Sequence, residues 1–178
     1  MGSKASETLK LMMKDASADD WARYIELGNK NFWTLQNHWM MNVEKKYGQA
    51  EAVQLDGLCY GRAIEVAAYR LLKFFDFGDD DLDTLAKVYQ LSPAGSYIDI
   101  DFQRIDKNTL LRRVTDCPIQ NARLVKRQEP IACKDALTVA AGNVARVVNP
   151  NIIITRVLCP PDRMPEGLWC EVVYSLKS

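Results

Sequence analysis

Tyr97-Ile98-Asp99-Ile100-Asp101-Phe102, then Thr109-Leu110-Leu111-Arg112-Arg113-Val114-Thr115, with Asp106-Lys107-Asn108 between them, is the stretch that decides the fold. In the first run apolar and polar residues alternate, the period of a half-buried strand. The second run is a second strand, and a turn separates the two, so together they predict a hairpin. Asp116-Cys117-Pro118 ends it, because proline has no N–H to give a sheet ladder. Downstream, Ile119 to Arg127 predicts a short helix and Cys133 to Val148 a longer one, stopped by Asn149-Pro150. Asn151 to Leu158 is a β-branched run and Leu168 to Leu176 the last strand, with Cys159-Pro160-Pro161-Asp162 breaking the chain between them.

Upstream the period is helical. Ser17 is a candidate N-cap. Trp21, Ile25, Gly28, Phe32, Leu35, Trp39 and Val43 recur at steps of three and four and predict an apolar stripe on a helix ending near Tyr47-Gly48. A second helix is expected from Gln49 to Phe75, with Gly57 and Gly61 allowing close contact to a neighbouring helix, and a third, short one over Leu82, Leu85 and Val88. The expectation is one α+β domain over 1–178: a polar leader (1–16), a helical half (17–95) packed on a four-stranded, mainly antiparallel β-β-α-β-β sheet (96–178).

Composition narrows the function. The 178 residues carry 23 basic and 23 acidic side chains, so there is no positive excess with which to displace counterions from a nucleic acid. No apolar run approaches the ~18 residues of a membrane helix. Met1-Gly2-Ser3-Lys4-Ala5-Ser6 fits a loose acylation pattern but reads as a polar leader, and it lacks the apolar core of a secretory signal. Five cysteines, an odd number, fit thiols or ligands better than a closed disulfide framework, and a cytoplasmic location is expected.

Those cysteines are the main chemical signal. Cys59, in an apolar helical context, reads as packing. Cys117, Cys133, Cys159 and Cys170 fall in the sheet half, three of them at element ends, where a layered fold can gather them. Four thiolates are the donor set for zinc or an iron–sulfur cluster, although no Cys-x-x-Cys is present. The rival use is one activated thiolate. Cys117, before Pro118 at a helix start, is the first candidate, with Asp116 opposing its ionisation. His38 is the only histidine and reads as a helix-flank residue. The segment 104–134 is basic, and Arg123 is the residue placed to hold a carboxylate or phosphate. Trp169, beside Cys170, is a candidate ligand contact, and Asp79-Asp80-Asp81 reads as a solvated loop.

Three stretches carry a resemblance. They are Phe32-Trp33-Thr34-Leu35-Gln36 with Trp39 and Tyr47-Gly48; Arg113-Val114-Thr115-Asp116-Cys117-Pro118-Ile119-Gln120-Asn121-Ala122-Arg123; and Asn149-Pro150 through Cys159-Pro160-Pro161-Asp162 to Leu168-Trp169-Cys170-Glu171. With its Cys-Pro-x-Gln-x-x-Arg and Cys-Pro-Pro-Asp motifs, the chain resembles an uncharacterised prokaryotic family of small cytosolic proteins, itself distantly similar to L-2-amino-thiazoline-4-carboxylic acid hydrolases. The resemblance implies that Cys117, Cys133, Cys159 and Cys170 are characteristic positions. It also implies hydrolysis of a C–N bond in a small, carboxylate-bearing cyclic amidine. In that reading Cys117 is nucleophile or ligand, Asp116 and Glu171 move protons, and Gln120, Arg123 and Trp169 bind a small anionic substrate. Two other readings remain open: a metal-binding sensor or scaffold on the four cysteines, and a protein that dimerises through its helical half with inert thiols.

Overall fold

The computed structural model describes residues 4–79, 81–95 and 97–177. The expectations at Met1-Gly2-Ser3 and at Asp80 lie outside them. The chain runs α1 (Lys4–Met12), α2 (Ala18–Tyr47), α3 (Gln49–Phe74), α4 (Leu82–Leu91), β1 (Asp99–Asp106), β2 (Thr109–Asp116), α5 (Pro118–Val125), α6 (Lys134–Val148), β3 (Ile152–Leu158) and β4 (Cys170–Leu176). This is the α+β fold read from the sequence. The strands lie in the order β1-β2-β4-β3, and every pairing is antiparallel. No helix among the described residues is long and apolar enough to cross a membrane.

Local chemistry sets the helix ends. Ser17 caps α2: its hydroxyl accepts from the Asp20 N–H while Asp20 accepts from the Ser17 N–H, a capping box. Gly48 separates α2 from α3 at φ 89°, a backbone region that L side chains rarely adopt. Asp81 caps α4 by accepting from the N–H groups of Asp83 and Thr84. The leader differs from expectation in carrying α1, which buries none of its residues.

The sheet turns one face to the helices, and residue parity decides which side chains go there. On β2 the inward row is Leu110, Arg112 and Val114; opposite them on β4 stand Tyr174, Val172 and Cys170. Leu82, Leu85 and Val88 of α4 and Ala141, Val144 and Val148 of α6 complete the core above Leu110, Val172 and Tyr174. Helix α3 packs along α6, and a side chain at Gly61 would place its Cβ 3.0 Å from Val139, so the close contact expected of that glycine is present. Leu85 is fully buried at the centre, and Leu85→Ala is expected to cost about 3 kcal/mol in urea unfolding.

The α2 stripe needs correction. Its buried residues are Trp33 and Met40; Ile25, Leu35 and Trp39 are exposed, as is Cys59 on α3. The helix core takes only the face that meets α3 and the β1 approach, and the remaining apolar positions of α2 point away from it. Trp33 is held there by donating its indole N–H to Pro93 O at 2.8 Å and by stacking on Tyr97.

Candidate functional site

Between the inward face of β2/β4 and the helices lies a cavity of about 110 Å³, and Cys117, Cys133, Cys159 and Cys170 all line it. Each arrives on a different element. Cys117 is the N-cap of α5, Cys133 the N-cap of α6, Cys159 follows β3, and Cys170 opens β4. The remaining wall is apolar (Trp33, Met40, Ile98, Ile119, Ile131, Leu137) with a few polar groups: Gln36, Asp56, Tyr60, Arg112 and Gln120.

Two motifs build this convergence. In Cys-Pro-Pro-Asp, Asp162 accepts from the Cys159 N–H at 3.2 Å and from Lys134 Nζ at 2.7 Å, while the Lys134 N–H donates to Pro160 O at 3.0 Å. The segment after β3 is thereby clasped to the first residue of α6, which brings Cys159 against Cys133 with 3.2 Å between the sulfurs. In Cys-Pro-x-Gln-x-x-Arg, Gln120 bonds Ile131 in both directions: its amide donates to Ile131 O at 3.0 Å and accepts from Ile131 N at 2.9 Å. The same Nε2 lies 3.5 Å from Cys133 Sγ. Arg123 donates to Glu129 O and, with both terminal nitrogens, to the Glu44 carboxylate at 2.8 and 2.9 Å. Glu44 is held below its ordinary pKa, first by that hydrogen bond, while burial opposes it. Both motif residues fasten the loop that delivers Cys133.

The thiols are electrostatically unequal. Cys159 is 1% exposed and lies against both Cys133 and Cys170. Its proton serves their sulfurs, which pushes the Cys159 thiol far up and draws both neighbours down; burial opposes the lowering. Cys170 falls to about 6, first through Cys159 and then through Arg112, whose Nη1 is 3.8 Å away. Cys159 has a single proton for two neighbours, so the three titrate as one unit. Cys117 stands apart: burial pushes its thiol up to about 11 despite backbone N–H donation from Gln120.

Arg112 is a buried cation, 4% exposed, lying over the Tyr89 ring at 5.2 Å. Burial is the largest single influence and disfavours its charge, but Cys170 together with the Tyr174, Tyr89 and Tyr60 hydroxyls outweighs it, and its pKa lies above the ordinary arginine value. Its Nε has no partner, nor does Gln36 Oε1, and both residues line the cavity. Asp56, accepting from Gln36 Nε2 at 2.5 Å, is raised by burial, with that hydrogen bond opposing. Tyr60 is raised as well, mainly by burial.

The residues expected at the site are thus partly gathered. The four cysteines and Gln120 line the cavity. Asp116, Arg123, Trp169 and Glu171 do not. Asp116 is exposed and accepts from Asn121, which in turn accepts from the Trp169 indole at 3.1 Å. Glu171 has the parity opposite to Cys170, so it faces away from the helices, clamped by Arg113 at 2.8 Å and by Arg156. His38 is exposed. Among the described residues no group of three or more His, Cys, Asp or Glu side chains is arranged to hold a metal ion.

Sequence reasoning missed Arg112, Asp56, Tyr60, Gln36 and Trp33 as cavity residues. The signals were present. Val114 and Leu110 are inward on β2, and Arg112 shares their parity. Asp56 and Tyr60 continue the three-and-four spacing of Val53 and Ile64 on α3, and Trp33, Gln36 and Met40 do the same on α2.

No curated protein and no solved structure matches the chain, and no likeness to thiazoline-carboxylate hydrolases is shown. What does match, over residues 14–176, is a family described as a family of unknown function (DUF6125), and since that span is nearly the whole chain, the chain belongs to this family.

Proposed function

We propose that the chain is a small-molecule-binding protein whose site is the thiol-lined cavity, and that its ligand is compact, mainly apolar and carries one anionic group. The observation behind this reading is a pair of buried, unpartnered polar atoms on two residues that line an apolar cavity: Arg112 Nε, a charged donor, and Gln36 Oε1, an acceptor. A buried polar atom without a partner costs about 1–3 kcal/mol, and a ligand that supplies both partners recovers it. The walls supply the rest through apolar contact, the usual make-up of a ligand pocket. An apolar cavity of about 150 Å³ holds benzene, so a space of about 110 Å³ suits a ligand smaller than benzene, roughly four or five heavy atoms.

Chemistry at such a ligand falls to Cys170. Its thiolate lies beside the Arg112 guanidinium, which puts a nucleophile next to the point where the anionic group would anchor. Asp56, raised by burial, is the carboxyl on the same cavity able to carry a proton. If the hydrolysis of a cyclic amidine carboxylate occurs here, these residues carry it, with Cys170, Arg112 and Asp56 in the roles expected of Cys117, Arg123 and Glu171 or Asp116.

Calorimetric titration with C2–C3 carboxylates and their primary amides tests the binding. The acids are expected to bind at least tenfold tighter than the amides, from a charge-assisted bond of about 1.5–3 kcal/mol. Arg112→Met is expected to erase the difference, and Gln36→Leu, which leaves the cation in place, to weaken both series. Equal binding of acid and amide, or no binding in the wild type, sinks the reading. Turnover of 2-amino-thiazoline-4-carboxylate, lost in Cys170→Ser, would make the protein an enzyme.

A further inference from the structure

Cys133 and Cys159 have sulfurs 3.2 Å apart on separate elements, the α6 N-cap and the end of β3. The Lys134–Asp162 ion pair and the Lys134 N–H to Pro160 O bond tie those elements together immediately beside the thiols. Cys133 Sγ also lies 3.5 Å from Gln120 Nε2. A disulfide needs its sulfurs at about 2.05 Å, so the two sulfurs have about 1.2 Å left to close.

We propose that Cys133 and Cys159 are a redox-active dithiol that reduces a small hydroperoxide by forming a reversible disulfide in the cavity. Cys133 attacks. It is half-buried, lies at a helix N-terminus and is stabilised as a thiolate by its neighbour's S–H. Its sulfur takes the terminal oxygen of the peroxide with that oxygen's hydrogen, the O–O bond breaks, and the departing oxygen takes a proton from solvent, equivalent to the one Cys133 released on ionising, and leaves as water or an alcohol. The Cys133 sulfenic acid is then attacked by Cys159 Sγ. The S–O bond breaks, and hydroxide leaves as water with the Cys159 proton. Two thiols lose two electrons and the peroxide gains them. Two equivalents of a small thiol return the pair to its reduced form by thiol–disulfide exchange through a mixed disulfide, and leave as their own disulfide. Cys170, on the other side of Cys159, is left without its hydrogen-bond donor when the bridge forms. Oxidation therefore changes the cavity's charge as well as its shape. The inference does not depend on the small-molecule reading, because neither Arg112 nor Gln36 takes part.

The full chain, reduced and desalted, is treated with equimolar hydrogen peroxide and analysed by thiol count and peptide mass mapping. The free thiols are expected to fall from five to three, with one disulfide-linked peptide pair carrying Cys133 and Cys159, restored to five by dithiothreitol. Cys133→Ser is expected to slow peroxide consumption at least tenfold and Cys159→Ser to stop the reaction at the Cys133 sulfenic acid with no bridge, while Cys170→Ser retains the bridge. A stable count of five overturns the proposal, as does a bridge made by Cys170 in place of Cys133. Thiols that respond only after a chelator is added also overturn it, since they would then be held by metal.

Discussion

Cys159→Ala is expected to move the pH midpoint for alkylation of Cys170 from about 6 toward the ordinary thiol value of about 8.5. The Cys159 S–H is the largest influence holding the Cys170 thiolate down, ahead of Arg112, and alanine removes it. Near pH 7 the thiolate fraction falls from most of the population to a few per cent, so iodoacetamide labelling of Cys170, followed by mass mapping, is expected to slow about tenfold or more. Cys159→Ser keeps an O–H donor at the same position and is expected to stay near the wild type. An unchanged midpoint in Cys159→Ala would show that the thiols do not share protons. The sign carries over to stability. Cys170 has a folded-state pKa below its unfolded value, so its thiolate stabilises the fold fully above about pH 8.5, and that contribution is lost as pH falls through about 6. The stability gap between wild type and Cys170→Ser is therefore expected to narrow on acidification across that window.

The sequence signals that proved readable were the ones governed by local chemistry. The alternation in Ile100 to Phe102, the Ser17 cap and the proline stops at Pro118, Pro150 and Pro160 each act over a few residues, and elements begin and end beside them. The meeting of four cysteines was legible only as a position at element ends; their distances depend on how β3 is clasped to α6, a contact across 28 positions made by Lys134 and Asp162. Parity was the signal that could have been pressed further. Cys170 and Glu171 are neighbours in sequence, yet antiparallel pairing puts one in the cavity and the other on the opposite face between two arginines. On β2 the same rule separates Arg112 from Arg113: the first is buried over Tyr89, the second partly exposed on Glu171. Side-chain type gave no warning of either split. The α2 stripe misled for a related reason. A helix can be apolar on more than one side, and only its partner selects the face that is buried.

The motif arginine shows what is at stake in that distinction. A basic residue six positions after a site cysteine suggests an anion ligand, but Arg123 spends its donors inside the protein, on the Glu44 carboxylate and the Glu129 carbonyl. Arg123→Ala is expected to destabilise the fold by about 2–3 kcal/mol, the range for hydrogen bonds to a charged partner, tempered here because Glu44 keeps part of its contact with water. For a chain of this length that is a fall in Tm of about 5–10 °C. Glu44→Gln, which keeps an acceptor but no charge, is expected to lose less. The reading as a clamp makes a second demand. With Arg123 gone, the loop that carries Ile131 to Cys133 is fastened chiefly by Gln120, so hydrogen exchange at the Ile131 and Cys133 amides is expected to quicken, while carboxylate affinity, measured below the new Tm, changes by less than the loss seen in Arg112→Met. The opposite pattern, unaltered melting with carboxylate binding abolished, would return Arg123 to the ligand and displace Arg112 from that role.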